Sequence, residues 1–305
     1  MTRALRAGCV RSPLASPKTA STLGRVSGPF LALGSSLTGG ASDFLGGTNS
    51  RRIGPVQWMF WTQVIGLVLA VGWVAISGDA LPGLAALAAA SGASLGLLVG
   101  LLALFQAMVV GRISIVAPIS ATGVVIPIAA GLARGEHPSA LQILGIAAAS
   151  AGIMLASRAS GEHASESDRP GLWLALLAAV GGGFFFWLMA PASHHDVPWA
   201  VLISRAVPVL VLGTVLCVRR DSLHAALATQ TARSALVSAV LAVVAIALYA
   251  YATVHGQLAI VSVLGSLYPA VTVLLAYHVL GERVHRVQRV GIASVLAGVV
   301  LMSAG

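Results

Sequence analysis

The strongest constraint on this chain is that part of it is written twice. Gly135-Glu136, Gln142, Gly145-Ile146-Ala147, Ala151-Gly152, Leu155 and Ser157 recur as Gly281-Glu282, Gln288, Gly291-Ile292-Ala293, Ala297-Gly298, Leu301 and Ser303, each displaced by 146 positions (281 − 135 = 303 − 157 = 146). Gly39-Gly40 aligns with Gly181-Gly182 at a displacement of 142 (181 − 39 = 142), and the same step carries Gln63 onto Arg205. A duplication of this length inside apolar sequence marks membrane carriers built from two related halves, with function expected between the halves.

Apolar spans run near 28–48, 54–77, 83–107, 114–133, 139–157, 171–191, 198–218, 232–253, 258–280 and 287–304. Each is close to the ~20 residues a helix needs to cross ~30 Å of hydrocarbon. Charged residues make up 9% of the chain and mean hydropathy is +0.92, against roughly a quarter charged in a soluble domain, so an ordinary soluble fold is excluded. The spans lack the alternation of a barrel strand, and in lipid the remaining way to satisfy the backbone is helical. The expected class is therefore an all-α integral membrane protein of about ten transmembrane helices.

The polar segment 158–170 falls between the fifth and sixth spans. It divides the chain into a basic, disordered tail (1–27), a first five-helix repeat (28–157), a linker (158–170) and a second repeat (171–305). An odd number of crossings per repeat inserts the second half upside down, giving two inverted repeats about a pseudo-twofold axis in the membrane plane. The tail carries Arg3, Arg6, Arg11, Lys18 and Arg25 with no acid, a composition shared with transit peptides.

The net charge of +9 does not imply a nucleic-acid partner. All basic residues but Lys18 are Arg, and most sit at span ends, where they anchor helices at the membrane surface. Cys9 and Cys217 give neither a disulfide framework nor metal-ligand spacing. His194-His195-Asp196 on a short loop lacks further ligands at metal-binding spacing.

The Leu280-Gly281-Glu282-Arg283 turn followed by Gln288, Gly291 and Gly298, with its counterpart Gly135-Glu136, Gln142, Gly145 and Gly152, resembles the ten-helix EamA-type transporters of the drug/metabolite transporter superfamily. Gly39-Gly40-Ala41-Ser42-Asp43-Phe44-Leu45-Gly46-Gly47 is similar to the first helix of some members. The first turn departs from the pattern, with Arg134 where Leu is common. The resemblance covers roughly 28–304 and implies a plasma-membrane efflux carrier for small metabolites, amino acids or drug-like compounds, with both termini in the cytoplasm. The lipid bilayer and a small-molecule substrate are its implied partners, in a monomer or homodimer. The Arg-rich odd-numbered loops pull the orientation the other way by the positive-inside rule, whereas the five basic residues of the tail agree with the family.

Several residues are candidates for a substrate cavity. Asp43 is the one acid well inside an apolar span: it is either a proton-coupling group or a helix-end residue paired with Arg51 or Arg52. Phe185 occupies the matching position of the second half, so Asp43 is not a symmetric proton site. Arg205, too deep to reach the surface easily, either holds a carboxylate or phosphate of the substrate or pairs with a helix carbonyl or Asp43. Trp187, Tyr251, Tyr268 and Ser266, with Gln63, Gln106, Ser120 and Thr122, combine apolar bodies with hydrogen-bonding tips, as suits a cavity lining or, equally, helix packing.

Pro118, Pro127, Pro208 and Pro269 are expected to kink or hinge spans four, seven and nine. Glu136 and Glu282 are expected to cap or anchor the helix that follows each turn. Small residues at Gly92-Ala93-Ser94-Leu95-Gly96, and at Gly145 with Gly152 and Gly291 with Gly298, are expected to pack helices closely. No Gly-x-x-x-x-Gly-Lys loop is present for ATP, and no nucleophile motif or buried acid pair for an enzyme. The expectation is a non-enzyme without cofactor, driven by a proton or substrate gradient through alternating access. A membrane-embedded enzyme or a nontransporting sensor or assembly partner is the alternative.

Overall fold

The computed structural model describes residues 17–110, 116, 119–120, 122–161, 169–219 and 229–280, with isolated positions between 287 and 301. The helices are α1 (Pro17–Ile53), α2 (Pro55–Ser77), α3 (Leu84–Val110), α4 (Val125–Ala133), α5 (Ala140–Gly161), α6 (Arg169–Ser193), α7 (Val197–Arg219), α8 (Thr229–His255), α9 (Leu258–Gly265) and α10 (Tyr268–Leu280). Among the described residues six helical stretches are long and apolar enough to cross a membrane, the last formed by α9 and α10 together. Most of the tenth expected span, Pro118, Glu282 and the Gly281-Glu282 turn lie outside the described residues.

α1 is absent from those six because it is polar on the inside. Ser35, Ser36, Ser42, Asp43 and Asn49 are all buried along it. Large apolar side chains such as Phe30, Val68, Ile76 and Leu210 instead point outward, where hydrocarbon would receive them.

The halves pack in a pattern that their exchange leaves unchanged. α1 of the first half lies against α8 of the second, α3 against α6, and α2 against α7. Since α1 corresponds to α6 and α3 to α8, the first two contacts are one contact seen twice. Each pair is antiparallel. Asp79, beyond the end of α2, accepts a bond from Trp199 at the start of α7; Gln63 meets Arg205 midway; the Phe60 ring, early in α2, lies beside Gly213 late in α7. Likewise Gly34 faces Leu248, Gly39 faces Ala245 and Ser42 bonds Ser238. Parallel halves could not give these pairings, so the repeats are inverted.

Two pairs of equivalent residues touch each other, as only residues beside a twofold axis can. Arg205 and Gln63 are 142 apart and bonded; the Ser294 hydroxyl donates to the carbonyl of Ala148, 146 positions away, at 2.8 Å.

Glycine lets the α3–α6 pair approach to backbone contact. A Cβ on Gly181 would lie 2.6 Å from the Gly100 nitrogen and 2.7 Å from the Gly96 carbonyl oxygen. This is the expected small-residue packing, centred on Gly96 and Gly100 rather than on Gly92.

The proline expectations resolve differently in each span. α7 runs unbroken through Pro208. The ninth span is not bent but divided, α9 ending at Gly265 and α10 starting at Tyr268 just ahead of Pro269. In the corresponding place of the fourth span a 3₁₀ turn, Thr122–Val124, precedes α4, with Pro127 inside that helix. A divided helix leaves carbonyls without intrahelical partners. The Ser36 hydroxyl of α1 reaches the carbonyls of Leu264 and Gly265, the latter at 2.8 Å.

Candidate substrate cavity

A cavity of about 110 Å³ lies between the halves, with room for several waters or a small solute. It draws on the Asp43 side of α1, the first turns of α2, the second half of α3, and the facing parts of α6, α7 and α8. Toward the Arg51 end Ala107, Met108, Val116 and Ala235 close-pack in one apolar core, and toward the other end Met189, Val201, Tyr249, Ile260 and Leu264 close-pack in another. There the Tyr249 hydroxyl bonds the Phe186 carbonyl and Ser262 Oγ, both at 2.8 Å, riveting α8 to α6 and α9.

Four of the sequence candidates line this cavity: Arg205, Gln63, Asp43 and Tyr268. Arg205 is 2% exposed; its Nη1 donates to Gln63 Oε1 at 2.7 Å, while Nε and Nη2 are buried without a partner. Among the described residues no carboxylate forms an ion pair with it, so neither pairing with Asp43 nor pairing with a helix carbonyl accounts for it. An isolated buried cation costs several kcal/mol.

Asp43 faces the cavity, and Arg51 is engaged elsewhere: Nε and Nη2 donate to the Met108 carbonyl of α3 at 3.1 and 2.9 Å. Arg52 points outward. Tyr268, at the start of α10, is bonded to Ser120.

The other candidates lie off the cavity wall. Ser120 acts through Tyr268. Thr122 bonds the Ile119 carbonyl at 2.7 Å and Ser266 the Val263 carbonyl at 2.9 Å, each hydroxyl satisfying a carbonyl next to a helix break. Gln106 is half-buried on α3, Trp187 packs on Phe184, and Tyr251 is 38% exposed beside Trp73 on the outer surface. Helix phase decides these positions, and an apolar span with residues on all sides does not reveal it.

Sequence reasoning missed Ser42, Trp58, Phe105, Phe185, Ser238 and Tyr249 on the wall. The available signal was α1 itself: an apolar span interrupted by Ser, Thr and Asp has to face something wet.

The first Gly-Glu turn has a different task from the expected one. Gly135 adopts φ +84, a left-handed conformation that favours glycine, and ends α4. The Glu136 N–H bonds the Gly131 carbonyl at 3.1 Å and the Gly135 N–H the Leu132 carbonyl at 3.0 Å, the paired bonds of a Schellman motif. That closure delivers the Glu136 carboxylate to α9 in the other half. Oε1 accepts from the Leu258 N–H at 2.7 Å and Oε2 from the Ala259 N–H at 3.0 Å. The following helix, α5, is capped instead by Ser139 and Gln142, whose side chains each bond the other's backbone N–H at 3.2 and 2.8 Å.

Asp196 also acts as a cap, its Oδ1 accepting from the Trp199 N–H at 2.9 Å. Among the described residues no three potential ligands gather to hold a metal.

Inverted repeats with a hollow at their seam that holds Arg205, Gln63 and Asp43 are the architecture of a membrane carrier. The sequence pattern of the EamA-like transporter family matches residues 26–158 and, a second time, 169–304. The chain belongs to this family, within the drug/metabolite transporter superfamily: it is a multi-pass membrane transporter rather than an enzyme. No curated protein matches it at a significant level. A solved structure titled only "Crystal structure of protein" is similar in fold, with a TM-score of 0.67 at 17% identity over 91% of this chain and 96% of that one.

Proposed function

We propose that the protein is a secondary active exporter of small metabolites, amino acids or drug-like compounds, taking its substrate into the cavity between the repeats and releasing it by alternating access. The observation that carries this reading is the hollow itself: a cavity holding Arg205, Gln63 and Asp43 lies at the seam of two inverted repeats, with apolar clusters packed toward both of its ends. Two related halves that enclose a site can exchange arrangements about it, and the passage between the two arrangements moves the solute. Asp43, facing the cavity, is the group placed to couple a proton.

The test is side-specific labelling. Ser42→Cys, with both native cysteines replaced, is placed in oriented vesicles and exposed to a membrane-impermeant maleimide from either side. Labelling from each side in turn, shifting as a solute gradient is imposed, supports the carrier. A cavity reachable from one side alone under every condition refutes it.

A further inference from the structure

Among the described residues, the fully enclosed side-chain polar atoms that lack a partner are Ser50 Oγ, the indole nitrogens of Trp61 and Trp187, and Nε and Nη2 of Arg205. Asp43 is a different case. It is 9% exposed and makes no hydrogen bond or ion pair among the described residues, yet its oxygens are not among those shut-in atoms. Because Asp43 forms part of the cavity wall, the surface it keeps is turned to the hollow. The carboxylate is thus the charged group that a solute in the cavity can touch, whereas the guanidinium of Arg205 is held by Gln63 with its spare nitrogens closed off.

α1 brings aromatic residues to either side of Asp43. Gly39 and Gly46, one turn before it and one turn after, share its face of the helix. A Cβ on Gly39 would lie 3.8 Å from Tyr268 Cβ, and one on Gly46 would overlap the ring of Phe105. Tyr268 and Phe105 both line the cavity, as does Trp58.

An unpaired carboxylate inside a membrane bundle is costly, and a cation seated against it removes that cost. An ammonium group gains charge-assisted N–H···O bonds from the carboxylate and cation–π attraction from neighbouring rings. An anionic solute would meet like charge there, with no open cationic atom beside it.

We infer that the cavity accepts a small ammonium ion with an aromatic or bulky apolar body, its N–H groups held by the Asp43 carboxylate between Phe105 and Tyr268. As a substrate class this rests on the carrier reading; as a binding site it does not.

The test uses purified full-length protein and three probes of similar size: 2-phenylethylammonium, 2-phenylethanol and phenylacetate, titrated calorimetrically. The ammonium binds about tenfold or more tightly than either of the others. Asp43→Asn, which keeps the shape and removes the charge, brings the ammonium-to-alcohol ratio below about threefold. Ser42→Cys, on the wall next to Asp43 and with both native cysteines replaced, reads occupancy with the carboxylate unaltered, and serves if the Asp43 variant does not fold. Saturating ammonium slows its alkylation by iodoacetamide, and 2-phenylethanol at the same concentration does not.

Equal affinity for ammonium and alcohol in the unaltered protein, including no binding of either, overturns the proposal; it is the result expected if the enclosed charge of Arg205 cancels the contact with Asp43. Tighter binding of phenylacetate, a preference that survives Asp43→Asn, or ammonium binding that leaves the Ser42→Cys thiol unprotected overturns it too. Alternating labelling of Ser42→Cys with no ammonium preference removes the amine assignment and keeps the carrier. Ammonium preference in a protein labelled from one side alone does the reverse.

Discussion

Replacing Glu136 by alanine should loosen one end of the transporter without touching the helix next to it in sequence. The carboxylate accepts two backbone N–H groups at the start of α9, at 2.7 and 3.0 Å. All eight residues of α9 are buried, so few alternative partners exist for its first N–H groups. Hydrogen bonds to a charged group contribute ~1.5–3 kcal/mol each. Glu136 is itself half-buried, so water recovers part of this, and the net loss is about 2–4 kcal/mol. At ~1.4 kcal/mol per factor of ten, opening of the α9 end rises roughly 30- to 700-fold.

Amide hydrogen exchange followed by mass spectrometry reads this directly, in peptides covering 257–265. Glu136→Gln, retaining one neutral acceptor, should give an intermediate increase. Peptides covering the start of α5 provide the control, because Ser139 and Gln142 cap that helix and remain in place. Unchanged exchange in α9, or faster exchange confined to α5, would show that the carboxylate serves the following helix after all.

Gly181→Ala drives a methyl into the backbone of Gly96 and Gly100 and should cost about 1–3 kcal/mol, seen as a lower apparent Tm; an unchanged Tm would mean that α3 and α6 are not in backbone contact. Asp196→Ala removes a helix cap and should cost ~0.5–2 kcal/mol, whereas EDTA should leave Tm unchanged; a chelator effect that disappears in the variant would restore the metal reading. Gln63→Arg alone sets two guanidinium groups against each other and should destabilise by ~3–5 kcal/mol, while adding Arg205→Gln should bring the apparent stability back to within about 1 kcal/mol. A double variant as weak as Gln63→Arg would place this contact off the symmetry axis.

The class of the fold was legible because the membrane removes alternatives: spans of the right length had to be helices, and a five-span repeat had to invert. Gln63 and Arg205 were legible as equivalent positions at the same depth, but not as partners: a helix carbonyl or Asp43 was the expected structural partner of Arg205, and Gln63 holds it instead. What stayed hidden was angular. Ser42 lines the cavity while Tyr251 faces outward, and both sit in helical spans whose apolar residues surround them. Glu136 was misread because a helix cap is ordinarily sought in the chain that follows, and here the Schellman turn sends the carboxylate across the seam to a residue 122 positions away. No local pattern encodes that partner; it follows only from the antiparallel docking of the halves.

Under the alternating access proposed above, the same docking separates contacts that must break in a transport cycle from contacts that need not. An exchange of roles between the halves maps every contact onto the equivalent residues. A side-chain contact on the axis, Gln63 with Arg205, maps onto itself and survives. A contact off the axis, such as Glu136 with Leu258, maps onto a different pair and has to be released. Arg205 is therefore supported by both halves in either arrangement, while the Glu136 contact is made by one half's turn in one arrangement. Rocking two halves about a shared axis requires that division: a contact on the axis that persists, and latches away from it that part.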